Sequence, residues 1–479
     1  MRCGSKEGKY SLYKQKYKKK VTPVHCKTLR RVVPAKPSSH EHRKKLYYLV
    51  MNEFHIPAEE LQWPEEGSTV AVGLSGGVDS ASAALMLKER GCTVVGITMS
   101  SWNNDLPLPP SKNGVRNSCY GADEKIDMEQ CAEFCKTYGI KYYVIDVREA
   151  YKAYVMDYFK SEYRAGRTPN PCVHCNAQVK FAALVNGAHA RGVGFDYFCT
   201  GHYASLVRPL IPVADIYRAL GSDARSAAGR SGTQPDGAGA AGHAGRSTGT
   251  EEGRGQGYTE RPVMVSAAKD TFKDQTYFLH RIPSAVLEKT RFPLSGFTKK
   301  AVFEFARGHG LKAALRSESQ DFISSEYFNI IFSDKKSTAG DIVDIHGVKL
   351  GEHRGIEHYT IGQRRGLGVS ANKPLYVRSI DSVNNRIVLT DENELFSAGL
   401  EADSWVWAGN YAPAAEFEAS VKIRLASPAA PARIIPLEGG AYRILFEKPQ
   451  RAVAPGQSAV VYADKLILGG GVISRTIEL

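Results

Sequence analysis

The sequence has no run of about 18 apolar residues, which excludes a membrane-spanning helix, and no apolar stretch near its N-terminus of the kind a secretory signal needs. A cytoplasmic protein with no membrane partner is therefore expected. Most of the chain also lacks any surplus of positive charge. The formal charge is +13, but residues 1–47 hold 15 Lys and Arg against Glu7 and Glu41, so the remainder carries 48 of each sign. The basicity belongs to a tail containing Lys14-Gln15-Lys16-Tyr17-Lys18-Lys19-Lys20, read either as non-specific phosphate attraction or as a solvated, disordered leader. Nine cysteines without a secretory leader argue against a disulfide scaffold and for reduced thiols, a few of them catalytic or metal-bound. With 479 residues and 43% hydrophobic content, the chain can bury the cores of two or three domains.

From Thr69 the pattern becomes regular. Buried strands are predicted at Thr69 to Leu74, Thr93 to Thr98, Tyr142 to Ile145 and Asp196 to Thr200, with helices at Val78 to Arg90, Asp127 to Tyr138, Arg148 to Tyr163 and Gln178 to Ala190. Strand–helix alternation of this kind gives an α/β fold with a doubly wound parallel sheet, whose chemistry gathers at the carboxyl ends of the strands. From about Gly221 to Glu260 large apolar residues almost vanish, which predicts a disordered insertion, about 210–261 at its widest, inside a hairpin that begins near Tyr203 and resumes at Pro262 to Ser266. An amphipathic helix at Lys299 to Gly308 and another near Glu326 to Phe332 suggest a small helical domain. Short β-rich runs at Leu375 to Ile380, Arg386 to Thr390 and Ala459 to Tyr462 suggest a C-terminal β-barrel. The expected division is 1–47 basic extension, 48–283 α/β domain, 284–339 small helical domain and 340–479 barrel.

Gly73-Leu74-Ser75-Gly76-Gly77-Val78-Asp79-Ser80 lies where the first strand turns into the first helix. Three glycines within five residues let the backbone fold around an anion, with amide N–H groups exposed at a positive helix end. The loop lacks the Gly-Lys-Ser/Thr ending of the common nucleotide P-loop and the Gly-x-Gly-x-x-Gly of dinucleotide folds. Ser-Gly-Gly-Val-Asp-Ser directly after a strand resembles the pyrophosphate loop (PP-loop) of the ATP pyrophosphatases, which use ATP to adenylate a carbonyl or carboxyl oxygen. That superfamily includes amide-forming synthetases acting on small carboxylates as well as RNA sulfurtransferases. An RNA-binding module with a relic ATP site is the non-enzymatic alternative.

Further segments choose among them: Gly166-Arg167-Thr168-Pro169-Asn170-Pro171 leading to Cys175-Asn176 and Lys180-Phe181, then Thr200-Gly201-His202-Tyr203-Ala204, Lys273-Asp274-Gln275-Thr276-Tyr277-Phe278-Leu279, and Tyr359-Thr360-Ile361-Gly362-Gln363-Arg364-Arg365-Gly366-Leu367-Gly368. In this order they resemble the tRNA-specific 2-thiouridylases over roughly Thr69 to Leu479, outside the insertion. The resemblance implies an enzyme that adenylates the C2 oxygen of the wobble uridine (position 34) of Lys, Glu and Gln tRNAs and replaces it with sulfur, releasing AMP and pyrophosphate. It implies ATP contacts from Gly73, Leu74, Ser75, Gly76, Gly77, Val78, Asp79, Ser80, Met99 and Gly201, with Asp79 also holding Mg²⁺. Asn170, Pro171 and the adjoining Cys172 would face the target base, Lys273, Asp274 and Gln275 would touch tRNA, and Cys175 would be the nucleophile that carries sulfur. The sulfur would come from a cysteine desulfurase, a relay protein or free sulfide.

Two departures follow from the same comparison. Where the family places a second, resolving cysteine, this chain reads Glu318-Ser319-Gln320-Asp321-Phe322-Ile323, and where it usually has an acidic residue this chain has Cys172. A lone Cys172-x-x-Cys175 suits a redox pair, a zinc half-site or an iron–sulfur ligand pair. Cys119, on the long loop after the second strand, can reach the same sheet edge, so Cys119, Cys172 and Cys175 form the favoured triple for a four-iron four-sulfur cluster. Three cysteines leave one iron open to bind hydrosulfide, a pattern similar to a cluster-dependent branch of the thiouridylases. A Cys172–Cys175 persulfide and disulfide pair and a structural zinc remain alternatives. Cys92, Cys131 and Cys135 are expected to be dispensable, and Cys199 to face the sheet packing.

Overall fold

The computed structural model describes residues 55–110, 120–221, 258–315, 322–323 and 325–479. The basic tail, Cys119, the Gly-rich stretch 222–257 and Glu318 to Asp321 lie outside the described residues.

After a short strand β1 (Ala58–Glu60), the chain builds β2 (Thr69–Gly73), α1 (Val78–Glu89), β3 (Thr93–Ser100), α2 (Glu124–Thr137) and β4 (Lys141–Asp146). Two long helices follow: α3 spans 148–164 and α4 spans 171–190, each loosened by a π-type stretch, Lys152–Asp157 in α3 and Cys175–Ala183 in α4. Strand β5 (Tyr197–Cys199) then returns to the sheet. The fourth helix thus starts seven residues before the predicted Gln178, because Pro171 fits the first helical position, where its missing N–H costs nothing. That shift puts both Cys172 and Cys175 inside the helix.

The strands run parallel in the order β4-β3-β2-β5-β8, where β8 (Thr290–Arg291) is a strand the sequence reading did not predict. One face packs Val70, Val72 and Leu74 against Ala84 and Leu87 of α1 and Cys131 and Cys135 of α2. The other packs Ala71, Ile97 and Ile145 against Val155 of α3 and Val179, Leu184 and Ala188 of α4. The sheet is doubly wound. From β2 the chain moves outward to β3 and β4, then jumps back to β5 on the other side of β2, so the switch point falls at the carboxyl end of β2.

Strands β6 (Ser205–Pro209) and β7 (Met264–Ser266) form the expected hairpin, with Leu206 opposite Val265. Between them the expected insertion is too wide: residues 213–219 form helix α5 (Val213–Ala219), whose Val213, Ile216 and Tyr217 are fully buried. Their spacing makes one apolar face, and Tyr217 stacks on Tyr411 at 5.1 Å and meets Phe417 edge-on at 5.0 Å. A tertiary surface orders a stretch whose overall polarity had suggested a loop.

Residues 284–339 contain α6 (Ser284–Glu288), α7 (Lys299–Gly308) and α8 (Ser325–Ile331). They do not close a core of their own: β8 joins the parallel sheet, Val302 and Ala306 of α7 pack on α1, and Ile331 and Phe332 belong to the main cluster. The stretch from Gly340 makes two β units. Strands β9 (Gly340–Asp344), β10 (Lys349–His353), β11 (Tyr376–Asp381) and β12 (Arg386–Thr390) form a four-stranded sheet around Ile342, Val377 and Ile387. Strands β13 (Phe396–Trp407), β14 (Phe417–Lys422), β15 (Ala430–Pro436), β16 (Tyr442–Arg451), β17 (Ser458–Ala463) and β18 (Leu466–Ile477) close into a six-stranded barrel in the order β18-β13-β16-β15-β14-β17. The β6–β7 hairpin continues the barrel sheet through Ser266 opposite Leu466. Among the described residues no helix is long and apolar enough to cross a membrane.

Candidate functional site

The loop after β2 wraps its own helix end. Gly76 takes a left-handed φ of +74°, the Ser75 amide donates to Ser80 Oγ at 3.2 Å, and Ser80 Oγ donates back to Gly77 O at 3.2 Å. With Ser80 held below, the loop amides and the N-terminus of α1 line an anion cradle at the switch point. Gly201, in the loop after β5, presses so close that a Cβ there would lie 2.8 Å from Asp79 C and Ser80 N. Only glycine fits that approach. Met99 stands at the end of β3, partly buried against the core, as expected for a residue on the same edge. Gly73 to Ser80 and Gly201 therefore meet at one turn, and Met99 follows two residues after Ile97, whose carbonyl accepts from the Leu74 amide at 2.8 Å.

Asp79 is the charged group of this turn. Lys299 Nζ, from the start of α7, donates to both of its oxygens at 2.7 Å, and Tyr203 Oη donates to Oδ1 at 2.9 Å. The pair is partly shielded from water, with Lys299 11% and Asp79 30% exposed. Both Asp79 oxygens are engaged, so a metal ion binding there would have to displace the Lys299 ammonium group. Nothing in the amphipathic pattern of Lys299 to Gly308 marked Lys299 as part of the site. Two more carboxylates brace the surroundings: buried Asp127 faces Gly76, and Glu124 accepts from the Ser101 amide and hydroxyl, both at 2.6 Å, pinning the chain that leaves β3.

The second component is the first turn of α4. Cys172 and Cys175 sit three residues apart, hence on one face, with Cys172 half-exposed and Cys175 buried at 8%. Helix N-termini offer positive potential to a negatively charged sulfur. Just upstream, Asn170 is 6% exposed, and its amide donates to Tyr158 Oη at 3.3 Å. His174 stacks on Tyr158 at 3.9 Å, and burial pushes its pKa down to about 4, helped by the Arg281 charge.

Four separated motifs are joined by hydrogen bonds. Tyr203, bound to Asp79, exchanges two bonds with Gln275: its amide donates to Gln275 Oε1 and the Gln275 amide donates to its carbonyl, both at 2.9 Å. Asn176 Nδ2 of α4 reaches Phe278 O at 3.4 Å. Asp274 accepts from the amides of Ala268 and Thr276 at 3.1 Å. Of the expected tRNA triple, Asp274 and Gln275 thus have internal partners, and Lys273 is the exposed member.

The barrel completes the wall. Gln457 Nε2 donates to Thr168 O at 3.2 Å and Pro169 O at 2.9 Å, and the Thr168 amide donates to Pro455 O at 2.8 Å. Gly456, at φ +90°, lies so near that a Cβ would fall 2.8 Å from Thr168 O. No motif in the sequence announced Gly456 or Gln457.

Among the described residues the remaining cysteines are buried in the sheet packing, although Cys131 also lines the cavity beside Gly76, Gly77 and Ser80. Cys131, Cys135 and Cys199 are core residues, and burial raises the thiol pKa of Cys199 and pushes that of Cys135 up to about 12. Where the resolving cysteine was sought, Phe322 packs against the core with its ring 5.2 Å from that of Phe159. Among the described residues no group of three His, Cys, Asp or Glu side chains could hold a metal ion, and Cys119 is outside them.

Comparison with known proteins agrees with this layout. Residues 68–220 and 233–324 match the tRNA methyl transferase HUP domain, 330–391 the tRNA methyl transferase PRC-barrel domain, and 397–473 the aminomethyltransferase beta-barrel domain. The tRNA-specific 2-thiouridylase MnmA of Endomicrobium trichonymphae is 37% identical over 84% of this chain and 98% of its own length. The protein of that name from Acetivibrio thermocellus is 36% identical over 84% of this chain and 98% of its own. A solved U34-tRNA thiolase, NcsA from Methanococcus maripaludis with its 4Fe-4S cluster, shares 19% identity over 56% of this chain and 64% of its own, and its TM-score of 0.24 is too low to carry an argument. On near full-length similarity to the MnmA proteins, with all three domain models matched in order, the chain belongs to the tRNA-specific 2-thiouridylase family.

Proposed function

We propose that this tRNA 2-thiouridylase adenylates the C2 oxygen of the wobble uridine of its tRNA with ATP and then places sulfur on C2. The observation that carries the reading is the chain of bonds from Asp79 through Tyr203 to Gln275, with Asn176 on Phe278 beside it, which ties the anion cradle and the Cys172–Cys175 turn to one framework. The uridine carbonyl is a poor electrophile. Attack of its O2 on the α-phosphorus of ATP expels pyrophosphate and turns O2 into part of a leaving group; sulfur adds to C2, the C2–O2 bond breaks, and AMP departs with the oxygen. The amides of Gly76 and Gly77 receive the pyrophosphate, and Ser80 keeps the loop in shape. Asp79 would hold Mg²⁺, which supplies charge neutralisation of the phosphates, and Lys299 neutralises Asp79 before the nucleotide arrives. Met99 and Gly201 flank the nucleotide, Asn170 and Pro171 face the base, and Lys273 contacts tRNA from a turn that Asp274 and Gln275 hold.

For sulfur, Cys172 and Cys175 together with Cys119 would hold a four-iron four-sulfur cluster, which when bound supplies an open iron for hydrosulfide. The placement of Cys172 and Cys175 on successive turns of one helix also supports a second reading. In it a persulfide on Cys175 attacks C2, the Cys172 thiolate then displaces the thiouridine sulfur, and the resulting disulfide is reduced by an external thiol. Free sulfide would be the donor to the open iron, whereas a Cys175 persulfide would need sulfane sulfur handed over by a cysteine desulfurase or a relay protein; Lys, Glu and Gln tRNAs would be the substrates. Incubating the anaerobically purified chain with ATP, Mg²⁺, unmodified tRNA and sulfide should give 2-thiouridine by nucleoside mass spectrometry, with AMP release that depends on tRNA. AMP release indifferent to tRNA would overturn the proposal. A brown protein with about four irons supports the cluster; an iron-free protein that thiolates in air and tolerates Cys119→Ala supports the persulfide.

A further inference from the structure

Phe272 is 100% exposed, the only large hydrophobic residue left wholly in water among those described. Single exposed apolar residues are ordinary, so exposure alone would mean nothing. What sets Phe272 apart is the rigidity and charge of its support. Asp270 Oδ1 accepts from the amides of Phe272 at 3.2 Å and Lys273 at 3.3 Å, while its Oδ2 accepts from the Lys299 amide at 2.8 Å. The Lys269 amide donates to Ser295 O at 2.9 Å, and Gln275 closes the turn on Tyr203. The turn is therefore fastened at both ends and at its centre, and it still directs its one aromatic ring outward. Exposed Lys269 and Lys273 stand on either side. Val383, 91% exposed at the β11–β12 turn, gives the contrast: the charges beside it, Asp381 and Arg386, pair with each other at 3.1 Å.

A wholly exposed ring with one exposed lysine directly after it and another three residues before it matches a nucleotide strand, in which a flat base is flanked by phosphates. A protein partner binding through an exposed Phe would want apolar surroundings, whereas this turn is polar at Lys269, Asp270, Thr271 and Lys273. The same Asp270 carboxylate touches the backbone of Lys299, whose side chain holds Asp79, so the ring stands beside the nucleotide site. We infer that Phe272 is a stacking platform for an unpaired base of the bound tRNA, with Lys269 and Lys273 on the neighbouring phosphates. This rests on the tRNA-thiolating reading and adds to it a residue that fixes how the RNA enters.

The test measures binding of unmodified tRNA to the full chain across a salt series. Stacking is insensitive to salt and phosphate contact is not, so the two contributions separate. Phe272→Ala should weaken binding roughly five- to a hundredfold with the slope of log Kd against log salt unchanged. Phe272→Trp should keep the affinity and lose fluorescence when tRNA binds, judged against the wild type. Lys273→Ala should reduce the slope by about one. If Lys273→Ala lowers the slope but Phe272→Ala binds like the wild type and Trp emission is unmoved, the platform is wrong while the tRNA reading stands. If Phe272→Ala binds tRNA normally but loses only thiolation driven by a protein sulfur donor, Phe272 is a protein contact and the inference is likewise overturned. Absence of salt-dependent tRNA binding by the wild type would instead overturn the underlying reading.

Discussion

The loop Gly73–Ser80, proposed to cradle the phosphates, and the loop Gly166–Asn170, proposed to face the base, are held in different ways. The first is closed by bonds among its own residues, Ser75 to Ser80 and Ser80 to Gly77, on a helix that starts within it. The second is held from a distance: Arg167 pairs with Glu162 in α3, Gln457 and Pro455 of the barrel region bind the backbone of Thr168 and Pro169, and a Cβ on Gly166 would meet Ile380 of the four-stranded sheet at 3.0 Å. A phosphate cradle can be written into eight consecutive residues because amides and a helix end are all it needs. Among the described residues the second loop has no such local closure, and its position is set by three other parts of the chain.

The largest effects should come from separating the two chemistries. Asp79→Asn should lower tRNA-dependent AMP release by at least about a hundredfold, whereas Cys175→Ala should abolish thiolation and leave ATP binding unchanged, both read by AMP and 2-thiouridine assays on the same samples. Equal loss of nucleotide binding in the two variants would mean that the loops do not divide the work.

Gly456→Ala should come next. A methyl group there meets Thr168 O at 2.8 Å in a backbone conformation at φ +90°, so the second loop must shift. We expect kcat/KM for tRNA to fall about tenfold or more through misplacement of the base, with the Kd for ATP unchanged. A variant impaired in ATP binding instead would show the barrel acting on the first loop as well.

Acid should distinguish the regions more mildly. His280 is buried against Gly470 of the barrel, its Nδ1 2.9 Å from Tyr277 O, and burial pushes its pKa down to about 3. With His174 at about 4, two buried rings resist protonation in the folded state. A folded pKa below the ordinary 6.5 gives stability that is complete above about pH 6.5 and is lost as pH falls toward the folded values. The melting temperature should therefore drop by several degrees between pH 7 and pH 5, and neither ring should titrate above about pH 5 in its NMR signals. A His280 midpoint near 6.5 would refute the burial argument.

The smallest effect is expected outside both loops. Replacing 222–257 with a short Gly-Ser linker should move the melting temperature by less than about 2 °C, since closure entropy depends weakly on loop length. Extending the deletion through Glu260 should cost more. That change removes Tyr258, which packs on Tyr411 at 4.8 Å, and the Glu260 carbonyl that accepts from Val213 at 2.7 Å. Calorimetry of the two deletions gives the comparison directly.

The sequence by itself determined the parallel sheet, the phosphate-binding turn, the helix at Lys299–Gly308 and the closing of the hairpin at Met264–Ser266, because each depends on short-range periodicity or on glycine chemistry that is local in the chain. It also carried the family motifs, including Cys175, and the departure from them at Cys172. Only the tertiary structure decided that Lys299 neutralises Asp79, that Asp274 and Gln275 turn inward, that Val213–Ala219 is a docked helix and that Gly456 and Gln457 clamp the Thr168–Pro169 backbone. These partners are separated by up to 289 residues and meet through single side chains or one missing Cβ. No periodicity marks such a meeting, since what selects those residues is the space and the unpaired backbone groups of a distant segment, and these exist only after the chain has folded.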